Sequence, residues 1–282
     1  MSTEIAIIDN LTDEEIMRLS GQDDNPNART DSGLPRLKIN RDPENDDGLT
    51  LPVGAFFVPD ADGVFVYAKE ALFRPFLSYL QYQTYDPVTE KYTCKSIIIK
   101  NFGEEAIDTE GGIRCGKLTR KQLDGLSQDD LAIQRNIRCY RMLYGTISMK
   151  GVTADGTART IKDYPVLWRA TGSAFMPIGD AITTFKDNKK LMHQHLMHLS
   201  LKREKKGSNV YYVPVIVADV KNTSVLKETN SLFAGFLGIV QAENNYVADK
   251  YRKATTAVVH TATANSVMQE LGRDFDDPVG EL

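Results

Sequence analysis

From Leu34 to Val220 the sequence is built of short apolar or alternating runs broken by turn residues, the punctuation of a sheet protein rather than of a helical bundle. Leu34-Pro-Arg-Leu-Lys-Ile39 alternates, so Leu37 and Ile39 share one face and Arg36 and Lys38 the other. Gly54–Val58 and Val64–Tyr67 flank Pro59–Gly63, a turn in which Gly63 supplies a positive φ. Phe76–Tyr85 and Tyr92–Lys100 flank Asp86-Pro87, Arg138–Lys150 and Thr157–Trp168 flank Thr153–Gly156, and Met192–Lys202 and Val210–Val217 flank Lys205–Asn209. Four such hairpins predict a compact antiparallel sheet or barrel.

Helical spacing appears at the margins of this pattern. Leu11–Ser20 opens with a capping box, Thr12 followed by Glu15, and predicts a short N-terminal helix; the polar stretch Gly21–Gly33 has nothing to bury and reads as a linker. Ser127–Ile137 and Ser173–Phe185 read as helical insertions. A longer helix is expected from Asn230 to Tyr251, with Leu232, Phe236, Ile239, Val240, Val247 and Tyr251 on one broad face. Gly235 and Gly238 weaken it by about 1 kcal/mol each relative to Ala, which suggests close packing against another element. Beyond Lys253 the Thr/Ala-rich segment has little to fix it. The expected organisation is an N-terminal arm (1–33), a core (34–220), a C-terminal helix with its extension (221–269) and a tail (270–282).

Charge is unevenly spread along these parts. Residues 1–50 carry 12 acidic and 5 basic side chains and residues 270–282 carry 5 and 1, so of the total of −4 the middle, 51–269, holds +7. A polyanion partner therefore remains open despite the acidic total, because binding follows the local field. No run approaches the roughly 18 apolar residues needed to span a bilayer, and the start lacks a basic, apolar leader pattern, so no membrane contact is expected and the chain is expected in the cytoplasm, that of the host if it is phage-encoded. Cys94, Cys115 and Cys139 are odd in number and widely spaced, which predicts reduced thiols rather than disulfides or a zinc site.

Catalytic constellations are absent from the pattern. His193, His195 and His198 form the most tempting metal cluster, since the first two would share one strand face, but no carboxylate or cysteine accompanies them in the segment. Glu104-Glu105 and Asp129-Asp130 read as solvated acids, Gly111-Gly112 and Gly116 lack a phosphate-loop pattern, and Ser173 lacks the nucleophile elbow and its partners. No enzyme, metal or cofactor is expected.

The stronger lead is basic side chains beside tyrosines. Lys186–Lys206 holds 7 basic and 2 acidic residues, and Tyr211 and Tyr212 follow directly. Single strands are held by this combination: bases stack on rings while lysine and arginine track phosphates. The expected contacts are Arg36, Lys38, Tyr79, Tyr82, Lys95, Arg138, Tyr140, Lys202, Arg203, Lys205, Lys206, Tyr211 and Tyr212. The competing reading is ordinary: a strand tyrosine is commonly half-buried, and a lysine-rich hairpin discourages edge pairing.

The order of Leu34–Ile39, Leu51-Pro-Val-Gly-Ala-Phe56, tyrosine-rich strands, a basic hairpin running into Tyr212-Val-Pro-Val-Ile216 and an acidic end resembles phage replication proteins that bind single-stranded DNA. The resemblance covers about residues 34–220 plus the tail. It implies an α+β chain with an antiparallel OB-like β-barrel core, helical insertions and a C-terminal helix, and sequence-tolerant DNA binding during replication or recombination without catalysis. It further implies an acidic tail, Asp274, Phe275, Asp276, Asp277 and Leu282, that competes for the groove and recruits replication proteins. The tail ends in Leu282 rather than phenylalanine, and the C-terminal helix exceeds a minimal protein of this kind, suggesting a homo-oligomer or a groove-covering element. The alternatives are a structural or assembly protein of a phage particle and, third, a phosphodiester-cleaving enzyme.

Overall fold

A computed structural model describes residues 33–44, 48–102, 104–111 and 120–273, and the fold belongs to the unit that begins at Leu34. The expected helix at Leu11–Ser20, Cys115 and the tail from Asp274 to Leu282 lie outside the described residues. Nine strands form one sheet: β1 Lys38–Ile39, β2 Phe56–Pro59, β3 Phe65–Ala68, β4 Ala71–Asp86, β5 Lys91–Lys95, β6 Ile137–Val152, β7 Ala158–Ala170, β8 Met197–Lys206 and β9 Asn209–Ala218. They run in the order β1-β2-β3-β6-β4-β8-β9, with β5 also on β4 and β7 also on β6, and every paired strand is antiparallel to its neighbour. The longer helices among the described residues are α1 Gln128–Arg135, α2 Phe175–Asp187 and α3 Thr229–Arg273, and a single turn of helix spans Arg120–Leu123.

The four expected hairpins are present as β2–β3, β4–β5, β6–β7 and β8–β9. The last is tighter than its sequence suggested. Lys206 faces Asn209 across a two-residue turn, and Gly207 there adopts φ 62°, so both strands extend further into the basic segment. At the N-terminal side the alternation holds, with Leu37 buried and Lys38 exposed.

The frame is the pairing of β4 with β6, each 16 residues long, or about 50 Å at the usual strand rise. Pro75 sits at a bulge in this ladder, where its missing N–H leaves no gap. Opposite it, Gly145 lies against the Arg74 carbonyl and the Phe73 ring so closely that a Cβ has no room. Side chains alternate across this long ladder and are buried on both sides of it. One face carries a core of Phe56, Phe73, Leu143, Ile147, Trp168 and Met197, closed by Ile178, Ala181 and Phe185 of α2. The other carries Phe76, Tyr144, Leu167 and, from α3, Phe236 and Val240.

Helix α1 begins where the sequence signals it: the Ser127 hydroxyl accepts from the Asp130 N–H. Helix α3 departs from expectation. It does not fray after Lys253 but runs on to Arg273, because no Gly or Pro interrupts residues 239–271 and alanine has the highest helix propensity. Gly235 and Gly238 are exposed, with open space where a Cβ would stand, so they are not close-packing positions. Polar side chains bind the helix to the sheet instead. Asn244 donates to the Ile98 carbonyl (3.0 Å) and accepts from the Ile98 N–H (2.6 Å), standing in for a strand neighbour. Glu243 accepts from Gln81 (3.0 Å) and pairs with Lys95 (2.8 Å). The connection from β9 is held by the buried Arg74, whose guanidinium donates to the Ser224 carbonyl and hydroxyl.

The expected barrel is not what the pairing establishes. The path from β1 to β9 stays open, so the ladders make an antiparallel sheet and an α+β chain. Strands this long exchange partners along their length, β4 passing from β8 to β5 and β6 from β3 to β4, rather than keeping one neighbour on each side. A parallel bridge does join Arg36 to Leu167, with hydrogen bonds from Leu37 N to Leu167 O (3.0 Å) and from Leu167 N to Pro35 O (2.9 Å). Cys94 is buried and Cys139 is half-buried. No described helix is long and apolar enough to cross a membrane.

Two glycine substitutions separate the frame from the helix. Gly145→Ala is expected to lower the unfolding free energy by about 1–3 kcal/mol or more, as overpacking in a rigid core does. Gly238→Ala is expected to raise it by up to about 1 kcal/mol. Urea unfolding of each variant checks both.

Candidate nucleic-acid interface

The expected contact residues do not form one groove. They fall in three places: Arg36 and Lys38 by β1, Tyr79, Tyr82, Lys95, Arg138 and Tyr140 toward the Asp86 end of β4, and Lys202–Tyr212 on a hairpin that leaves β4 at its Ala71 end. The length of β4, about 50 Å, separates the last two groups.

At the Asp86 end, one sheet face gathers rings and cations. Register places Gln81 opposite Tyr140, Gln83 opposite both Lys95 and Arg138, and Tyr85 opposite Tyr92. The Tyr85 and Tyr92 ring centroids lie 5.4 Å apart, and Tyr92 meets Tyr140 edge-on at 6.0 Å, their hydroxyls hydrogen-bonded. Tyr92 remains 51% exposed while Tyr140 is buried. Arg169, which reaches this face from β7, lays its guanidinium 3.8 Å from the Tyr140 ring centroid and 5.6 Å from that of Tyr92, and donates to the Gln83 side-chain carbonyl. Burial, and then the bond to Tyr92, push the Tyr140 hydroxyl up to about 12. The result is an ordered cluster of steeply inclined rings, its outer ring open to solvent and its inner ring fixed by a cation.

The expected residues are set in different surroundings. Tyr82 is buried in a cluster with Leu80, Cys94 and Ile99, on the opposite side of the strand from Gln81 and Gln83, and so is not part of this face. Tyr140 is buried beneath the Arg169 guanidinium, and Tyr79 packs against the core beneath α3. Lys95 is tied to Glu243 and lies 4.6 Å from the Tyr246 ring centroid. Arg138 is exposed and donates to the Arg135 carbonyl (3.0 Å). Arg169, Tyr85 and Tyr92 are members that the expected contacts did not include. Arg169 carried no signal in its own segment: the β6–β7 register pairs it with Met142, on the same face as Tyr140 two residues away.

On the β8–β9 hairpin, Lys202, Arg203, Lys205 and Lys206 are all exposed. Alternation puts Lys202, Glu204 and Lys206 on one face and Arg203 and Lys205 on the other, so the basic run is divided between two surfaces. Lys202 pairs with Glu204 (3.0 Å), which also accepts from the Tyr211 hydroxyl (3.1 Å). Tyr212 is half-buried and lies against Gly54, where any Cβ would strike its ring. Where β8 meets β4, a groove of about 680 Å³ is lined by Lys150, Lys162, His198, Leu72 and Val217 among others.

The three histidines share no strand face, since β8 begins only at Met197. His193 lies in a 3₁₀ turn against Phe76 and Phe233, His195 is buried with Nδ1 2.9 Å from the Asn222 carbonyl, and His198 is exposed. Among the described residues no group of three His, Cys, Asp or Glu is placed to hold a metal ion.

Comparison with known protein families, with curated proteins and with solved structures finds no match to this chain.

The raised Tyr140 pKa has a measurable consequence. Its folded value lies above the ordinary 10.0, so its contribution to stability is whole below pH 10 and is lost as pH rises from there through about 12. Unfolding free energy is expected to fall across that window, and to fall less in Tyr140→Phe. Phenolate absorbance followed against pH would show several late-titrating tyrosines, since burial also raises Tyr144, Tyr67 and Tyr164, and one fewer in the variant.

Proposed function

We propose that the protein binds single-stranded DNA in a sequence-tolerant way and without catalysis, as a protein of phage replication or recombination would. Bases rest on Tyr92 and its neighbours, and phosphates follow Arg138, Arg169 and the lysines at the sheet margin. The observation that carries this reading is the guanidinium of Arg169 against Tyr140 beside the half-exposed Tyr92. Every base offers a π-face, so a ring held in a fixed orientation binds strands without reading them, and neighbouring cations supply the salt-sensitive part of the affinity.

The basic β8–β9 hairpin acts as a second phosphate contact, reached by a strand that follows β4 along its length. The OB-like barrel belongs to the same proposal: the parallel bridge between Arg36 and Leu167 supports a closure of β1, β2, β3, β6 and β7 around the core. The acidic residues Asp274, Asp276 and Asp277, with Phe275 and Leu282, compete for the basic surface and recruit replication proteins once DNA displaces them.

A labelled oligonucleotide titrated at two salt concentrations tests the reading. Affinity is expected to fall with salt at a slope of about −0.7 per phosphate contact, and a salt-independent affinity, or none, overturns it. Tyr92→Ala should weaken binding about 5- to 150-fold, the equivalent of about 1–3 kcal/mol for one stacked base. Reversal of Lys202, Arg203, Lys205 and Lys206 to glutamate should also weaken it but chiefly at low salt; unchanged affinity would remove the hairpin from the path. Deletion of Arg273–Leu282 should tighten binding at low salt and matter less at high salt, since the Debye length shrinks from about 30 Å at 0.01 M to about 3 Å at 1 M.

A further inference from the structure

Beside the Tyr92 ring cluster lies a cleft between β5 and α3 with a volume of about 360 Å³, inside the range of roughly 300–1,000 Å³ typical of small-molecule sites. Two tyrosines, Tyr92 and Tyr246, line it together with Lys95, Lys250, Thr93 and Thr109. Both lysines lie near the Tyr246 ring, Lys95 at 4.6 Å and Lys250 at 5.7 Å from its centroid. Lys95 is held by Glu243, whereas Lys250 is exposed. Two threonine hydroxyls, the Gln83 amide and the Glu110 carboxylate complete the polar lining: Thr93 is exposed, and Thr109 Oγ1 accepts from the Lys95 N–H (3.3 Å) while donating toward the Cys94 sulfur (3.7 Å).

We infer that this cleft receives one nucleobase turned out of the bound strand. The inference rests on the single-strand reading and deepens it. Rings among the lining residues suit a flat aromatic ligand, which a bare phosphate would not require, and the lysines can meet the phosphates on either side of the inserted base. Tyr92 belongs both to the open ring cluster and to the cleft, so the strand that lies on the first reaches the second without leaving the surface. Threonine hydroxyls both donate and accept, and can meet the polar edge of any base, which keeps the site tolerant of sequence. Because Tyr246, Lys250 and Glu243 all come from α3, the helix supplies one wall of the binding site in addition to covering the core.

The test uses the full chain and the shortest oligonucleotide that binds at full affinity, with an abasic residue placed at each position in turn. One position is expected to cost at least about fivefold more than the others, and in Tyr246→Leu that excess should disappear, as in a double-mutant cycle between partners. Uniform abasic costs, or an excess unchanged in Tyr246→Leu, overturn the cleft while leaving Tyr92-dependent binding intact. If no oligonucleotide binds, the single-strand reading fails and the cleft with it. Should Tyr246→Leu not fold, photo-crosslinking of the unaltered protein to an oligonucleotide with halogenated bases decides: attachment at Tyr246 supports the cleft, and a set of crosslinks that never includes Tyr246 overturns it.

Discussion

Every other feature of this molecule is hung on the antiparallel ladder between β4 and β6. It runs from the Leu72–Ser148 pair to the Thr84–Ile137 pair and is buried on both faces, so apolar residues fall on both sides instead of cleanly alternating, with Arg74, Gln81 and Thr146 buried among them. Gly145 and the bulge at Pro75 let the two backbones approach and bend where side chains would collide. The ladder outreaches the other strands, so the shorter β3, β5 and β8 pair with different parts of it. That sharing of partners along one ladder leaves the sheet open.

Two covers protect the ladder, and they differ in kind. On one face α2 contributes Ile178, Ala181 and Phe185 to a conventional apolar core. On the other, α3 combines Phe236 and Val240 with a set of polar attachments: Asn244 on the Ile98 backbone, Glu243 on Gln81 and Lys95. Each polar pair satisfies groups that would be costly to bury alone. These attachments hold the helix in one register over the sheet, which places Tyr246 and Lys250 beside β5. The tyrosine and arginine end of the sheet thereby acquires a second wall, and the proposed functions of the open ring cluster and of the cleft both depend on this seating.

Much of the architecture was legible in the amino-acid order. The hairpins followed from turn residues such as Gly63 and Gly156, the start of α1 from Ser127, and the burial of Leu37 from alternation. The extent of α3 was not legible, because a Thr/Ala-rich stretch has no apolar stripe and its helicity rests on propensity and on the absence of breakers. The histidines misled for a related reason: periodicity places a residue on a strand face only once the strand's start is known, and β8 starts two residues after His195.

The sequence by itself determined the α+β composition, the antiparallel hairpins and the presence of tyrosines and cations in the same segments, since these are local properties of spacing and turn chemistry. Only the tertiary structure decided which of those side chains meet. Tyr82 and Tyr140 look alike along the chain, yet one is sealed among Leu80 and Ile99 and the other lies under Arg169, a residue 29 positions away from it in sequence. Lys95 and the Lys202–Lys206 run appear as one basic system until β4 sets them at opposite ends. The physical reason is that a strand's period assigns each residue to a face, whereas the register between distant strands, and the helix seated on them, determines what that face confronts.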